Sequence, residues 1–136
     1  MSAFSNHLEQ SLINATLRGG SYTGGAVYVA LFTTDPTDAG SGSELADSGY
    51  ARQQCHTTTV SDGWDVPHAT DGYTANAKLI TFPAIVDAQV SVTHWALFDA
   101  ASGGNLLYHA SLTNPKTLDA SDVLSFPIGA LKITLA

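Results

Sequence analysis

A chain of 136 residues fits one domain long enough to bury a core, and only 12% of its residues are charged. Twelve acidic residues against five basic ones leave a formal charge of −7, and Arg18, Arg52, Lys78, Lys116 and Lys132 are too scattered to form a basic patch, so nucleic acid is not an expected partner. The one cysteine, Cys55, excludes an intrachain disulfide, and no apolar run approaches the ~20 residues that span a bilayer, so no membrane is expected either.

The opening MSAFSNHLEQ has neither the basic region nor the apolar run of a signal peptide. From Asn6 to Leu17 the spacing predicts a helix, with Asn6 as its cap and Glu9 three residues on. Leu8, Leu12 and Ala15 share a stripe, Ile13 and Leu17 lie alongside, and Phe4 precedes Leu8 by one turn. Arg18 suits the C-terminal dipole, and Gly19-Gly20 ends the helix. The apolar stripe needs a cover, either the chain's own sheet or a neighbouring subunit.

Ala26–Phe32 is apolar on both faces and reads as a buried strand. Asp35–Gly49 is a polar loop, and Tyr50–Val60 returns to extended chain with three threonines. Ser61–Ala77 is irregular, with three aspartates and two large aromatics, Trp64 and Tyr73. Short strands follow at Lys78–Phe82, Val90–Phe98, Leu106–Leu112, Val123–Phe126 and Leu131–Leu135, with a turn at Asn114-Pro115 and Leu131, Ile133 and Leu135 expected inward. About seven strands behind one helix predict a mainly β domain, an antiparallel β-sandwich of jelly-roll-like form with an N-terminal amphipathic helix.

Few residues promise chemistry. Asp62, Asp65, His68 and Asp71 offer oxygen and imidazole ligands on one loop, but they lack EF-hand spacing, and Asp and His are common in solvated turns; no metal or other cofactor is expected. His94 with Asp99, and Cys55 with His56, are separated by odd steps on strands and so point to opposite faces. Trp64 and Tyr73 stand open to two readings: exposed anchors for a protein or carbohydrate, or a small satellite core under their loop. No catalytic residue is expected.

The order of short motifs carries a family resemblance. Phe4-Ser5-Asn6, Leu12-Ile13, Leu17-Arg18-Gly19 and Tyr22-Thr23 open it. Val27–Thr34, Pro36–Gly40, Gly49–Gln53, Ile80–Ala84, Val92–His94, Leu97–Ala100, Gly103–Leu107 and Leu112–Lys116 continue it, and Phe126 with Gly129–Leu131 and Ile133–Leu135 close it. The whole chain resembles a family of small bacteriophage virion proteins often labelled tail-fibre or structural protein. Asp62–Asp71 looks expanded against that family's pattern, and Ser121-Asp122 replaces a usual Gly-Asp turn.

The resemblance implies a non-enzymatic virion component, made in the host cytoplasm. Its partners would be other virion proteins, the major capsid protein among them, with copies of itself in a homo-oligomer. A small sandwich with a helical arm suits a head decoration (cement) protein that bridges major capsid subunits, and this is the expected role. The alternative is a tail component: an adaptor, a knob, or a fibre or receptor-binding tip. An enzyme such as a virion glycosidase would need two carboxyls within roughly 5–10 Å in a cleft. The residues expected at an interface are Phe4, Leu8, Leu12, Trp64 and Tyr73.

Overall fold

A computed structural model describes residues 2–56 and 63–135. Its elements run β1 (Ser2–Phe4), α1 (Asn6–Leu17), β2 (Val27–Phe32), β3 (Gln53–His56), β4 (Tyr73–Ala75), β5 (Ile80–Thr81), β6 (Val90–Phe98), β7 (Leu106–Leu118), β8 (Ser125–Phe126) and β9 (Lys132–Thr134). All strand pairs among the described residues are antiparallel. One sheet has the order β1-β7-β6-β2-β3, and two small ribbons, β4-β9 and β5-β8, make up a second layer. The protein is mainly β with one helix, in a sandwich-like arrangement of unequal layers, as expected. The part of the expected third strand beyond His56 lies outside the described residues.

Register decides which side chains meet. Val29 and Leu31 of β2 stand opposite Leu97 and Trp95 of β6, which stand opposite Tyr108 and Ala110 of β7. These residues share one face of the large sheet. Ile80, Phe82, Ile85, Leu124, Phe126, Leu131 and Ile133 of the second layer close onto that face in one buried cluster. The opposite face carries Ala30, Phe32, Ala96, Phe98 and Leu106, with the rings of Phe32 and Phe98 stacked at 6.1 Å. The loop after β2 bends over this face, where Asp38 Oδ1 meets His109 Nε2 at 2.9 Å.

Two irregularities shape β7. Leu97 pairs with Tyr108 and Phe98 with Leu106, so Leu107 is an extra residue, and the bulge lets Leu107 and Tyr108 both join the core side. Farther on, β7 runs from Ser111 to Lys116 while β6 covers only Val92 to His94. The expected turn at Asn114-Pro115 is therefore a wide bulge inside one long strand. A bulge tolerates the missing proline N–H that a regular ladder would not.

The helix runs from Asn6 to Leu17 as its spacing predicts, but its cap differs from the expected one. Ser5, not Asn6, is the N-cap: its Oγ accepts from the Leu8 N–H at 3.1 Å and donates to the Leu106 carbonyl, while its own N–H donates to Leu107 O at 2.9 Å. The cap thus ties the helix start to β7, an attachment local spacing does not reveal. At the far end Gly19 takes φ +70° and the Gly20 N–H donates to Asn14 O.

Asn76 knits the two ribbons of the second layer together. Its side chain is fully buried; Nδ2 donates to the carbonyls of Lys78 and Pro127, both at 2.9 Å, and Oδ1 accepts from the Leu131 N–H at 2.8 Å. Its backbone N–H and carbonyl bond to Leu131 O and the Gly129 N–H.

Candidate functional site

An apolar groove of about 270 Å³ opens between the two layers. Val27, Leu97, Leu107 and Tyr108 of the large sheet form its floor, and Ile133, Leu135, Tyr73 and Trp64 form its wall. Trp64 sits on an isolated bridge to Asn76, directly after Gly63. Gly63 has φ +91°, and a Cβ there would lie 1.4 Å from the Cys55 carbonyl oxygen, so only glycine fits. Tyr73 opens β4, with the His68 ring stacked on it at 4.6 Å and Lys132 Nζ 3.8 Å from its ring centre.

Trp64 and Tyr73, distant on an irregular stretch of sequence, therefore line one groove. Both are half-buried, between the two states left open for them. Phe4 is half-buried with its ring edge-on to Tyr108 at 5.3 Å, and Leu12 is half-buried against the main cluster. Leu8 departs from expectation. At 2% exposure it is a core residue, because the Ser5 cap turns the first helical turn onto the sheet. The helix is covered by its own sheet only at its start, and Leu17 is 79% exposed. Leu135, expected inward, is exposed at the groove's edge.

Several charged groups are engaged in structure. Arg52 grips Glu44 with two nitrogens, Nε at 2.8 Å and Nη2 at 2.9 Å, and its Nη1 donates to the carbonyls of Ala100 and Gly103 at the β6–β7 turn. Its guanidinium lies 3.8 Å from the Phe98 ring centre. Tyr50 donates to Glu44 at 2.7 Å and accepts the Leu31 N–H at 3.1 Å. Burial would raise the Glu44 carboxyl, but hydrogen bonds from Arg52 and Tyr50 outweigh it and hold it below the usual carboxylate range. Burial, with Glu44 alongside, pushes the Tyr50 hydroxyl up. The Asp47 carboxyl is held down by the backbone N–H groups of Asp87, Val86 and Gly49.

The pairs weighed for catalysis do not come together. Asp99 accepts from the Asn105 backbone and side chain and so shapes the turn, while His94 contacts the Thr93 hydroxyl at 2.8 Å. Cys55 is buried, with Sγ directed at the Gly63 carbonyl. Of the possible metal ligands, Asp62 lies outside the described residues, and His68 Nδ1 is 3.4 Å from Asp71 Oδ2. Among the described residues no group of three or more His, Cys, Asp or Glu is placed to hold a metal, and no helix is long and apolar enough to cross a membrane.

Comparison with known proteins adds the family. A search of curated proteins finds no match for the chain. A model of the family described as Podophage GP4 fiber I protein gp80 matches residues 3–134, nearly the full length. The chain belongs to that family and is accordingly a bacteriophage virion structural protein.

Proposed function

We propose that the chain is a non-enzymatic building block of a phage tail fibre, held in the particle by contacts of its surface side chains. The observation that carries this reading is the family match across residues 3–134, whose description names a fibre protein. Head decoration, the role expected from size and arm, draws no support from that description.

The groove supports a protein neighbour. Aromatic anchors in apolar concavities are the usual centre of protein interfaces. A sugar needs convergent polar groups, and this lining is almost wholly aliphatic and aromatic. Trp64 and Tyr73 would grip the neighbour, with Phe4 and Leu12 contributing accessible surface nearby; Leu8 acts only by holding the helix in place.

Copy number tests this directly. Mass spectrometry of purified virions against the major capsid protein, with labelled antibody seen by electron microscopy, should find few copies, all on the tail. Hundreds of copies over the head would overturn the fibre reading in favour of cement.

A further inference from the structure

The register that builds the core face also sets what stands on the opposite face of the large sheet. Ala30 pairs with Ala96 and Ala96 with His109; Phe32 pairs with His94 and His94 with Ser111. Residues opposite one another share a face, so His94 and His109 stand beside the apolar cluster of Ala30, Phe32, Ala96, Phe98 and Leu106. These side chains are buried although they point away from the core, so something covers them. Part of that cover is the loop after β2.

The loop, residues 33–44, is an Ω-shaped strap with a closed neck. At the neck Phe32 bridges Glu44, the Thr33 N–H donates to Ser43 O, and the Leu45 N–H donates to Leu31 O, both at 2.9 Å. Inside the strap the N–H groups of Gly40 and Gly42 donate to Thr37 O and Pro36 O, and the hydroxyls of Thr37 and Ser41 meet at 2.8 Å. Pro36 is fully buried, and a Cβ added to Gly40 would lie 3.8 Å from Leu106 Cβ, so the strap rests on the cluster.

Two features of the strap oppose each other. Thr37 has φ +55°, a region that a β-branched residue avoids, so the closed strap carries backbone strain. A clasp on either side of Thr37 holds it shut. Asp38 Oδ1 meets His109 Nε2 at 2.9 Å, and Asp35 Oδ1 lies 3.7 Å from His109 Nδ1 and 4.0 Å from His94 Nε2. The Asn6 N–H donates to Asp38 O at 2.9 Å, which joins the strap to the first turn of the helix. The His109 side chain is 9% exposed, while those of Asp35 and Asp38 are 59% and 52% exposed. The socket of the clasp is therefore fixed in the sheet, and its prongs belong to the loop.

We propose that the strap is a strained cover, which opens about its neck as one unit and bares the outer apolar cluster. The clasp on His109 keeps it closed against the strain at Thr37. Opening relieves that strain and so is easier than for a relaxed loop; loss of the clasp makes it easier again. The proposal rests on register and backbone conformation and is independent of the fibre reading.

Amide hydrogen exchange of the full chain, read by NMR, tests it. Opening as a unit gives the N–H groups of Gly40, Gly42 and Asn6 one common opening equilibrium, while those of Thr33, Leu45 and Leu97 stay slower. Asp38→Ala, at an exposed position, should speed the first three together about fivefold and leave the neck and β6 unchanged. A thiol reagent should reach Leu106→Cys faster by the same factor when Asp38→Ala is added. Thr37→Asn, better suited to positive φ, should slow the three amides about fivefold and return the Asp38→Ala protein toward wild-type rates. Three results overturn the proposal: strap amides that exchange independently of one another, an Asp38→Ala effect that is absent or reaches Leu97 equally, and Thr37→Asn rates no slower than wild type. A Leu106→Cys thiol indifferent to Asp38→Ala overturns the baring of the cluster.

Discussion

Asn76 ties the two ribbons of the second layer together through one side chain, and its replacement has a calculable consequence. Asn76→Ala removes both donors and the acceptor, leaving the carbonyls of Lys78 and Pro127 and the N–H of Leu131 without that partner in a fully buried site. Each unsatisfied buried group costs about 1–3 kcal/mol, and the three are not additive, so a loss of about 4 kcal/mol is expected. Against a domain stability of about 5–15 kcal/mol that is a large fraction. Asn76→Asp sharpens the test. It keeps the shape and the acceptor for Leu131 but turns a second oxygen toward two carbonyl oxygens. The introduced carboxyl is thus raised in the folded state above its unfolded value of about 3.9. Its penalty is smallest below that value and grows as pH rises toward the folded pKa. At neutral pH Asn76→Asp should therefore be less stable than Asn76→Ala, with the gap narrowing near pH 4. Urea unfolding followed by fluorescence should show a lower midpoint with an unchanged slope. A loss below about 1 kcal/mol for Asn76→Ala, or a neutral-pH Asn76→Asp as stable as wild type, would refute the reasoning.

Three further predictions concern the helix and the charged clusters. Leu8→Ala should cost about 2–4 kcal/mol in urea unfolding, while Ile13→Ala and Leu17→Ala should stay within about 0.5 kcal/mol, since only Leu8 is in the core. Arg52→Lys keeps the charge but loses the forked grip on Glu44 and the two turn carbonyls; a drop of about 1–2 kcal/mol, read as a lower thermal midpoint, is expected. The Glu44 and Asp47 carboxyls are both held below their ordinary values. Their contribution is therefore present above the unfolded carboxylate pKa values of about 4 and is lost as pH falls through the lower folded values. Thermal midpoints measured from pH 6 down to about 2.5 should fall in that window, and Glu44→Gln and Asp47→Asn should each flatten the decline.

Long, strongly patterned segments were legible from residues alone. Val90–Phe98 is a strand with the expected bounds, Ala26–Phe32 lost only its first residue, and the helix runs from Asn6 to Leu17. In each, apolar periodicity and turn residues act within one segment, so local sequence carries the information. The family too was readable, because ordered short motifs survive along the whole chain. What depended on distant partners was not readable. β1 and β4 have three residues each and exist through their pairing with β7 and β9. Asn114-Pro115 has turn chemistry in any local reading, and only the ladder to β6 makes it a bulge. The same holds for the surfaces. The apolar character of Leu8 and Trp64 belongs to the sequence. That one is spent on the core while the other meets Tyr73 in a groove was decided by the Ser5 cap on β7 and by the pairing of β4 with β9. A side chain's chemistry is set by its own atoms, but its burial is set by residues far along the chain, and only the tertiary fold brings those together.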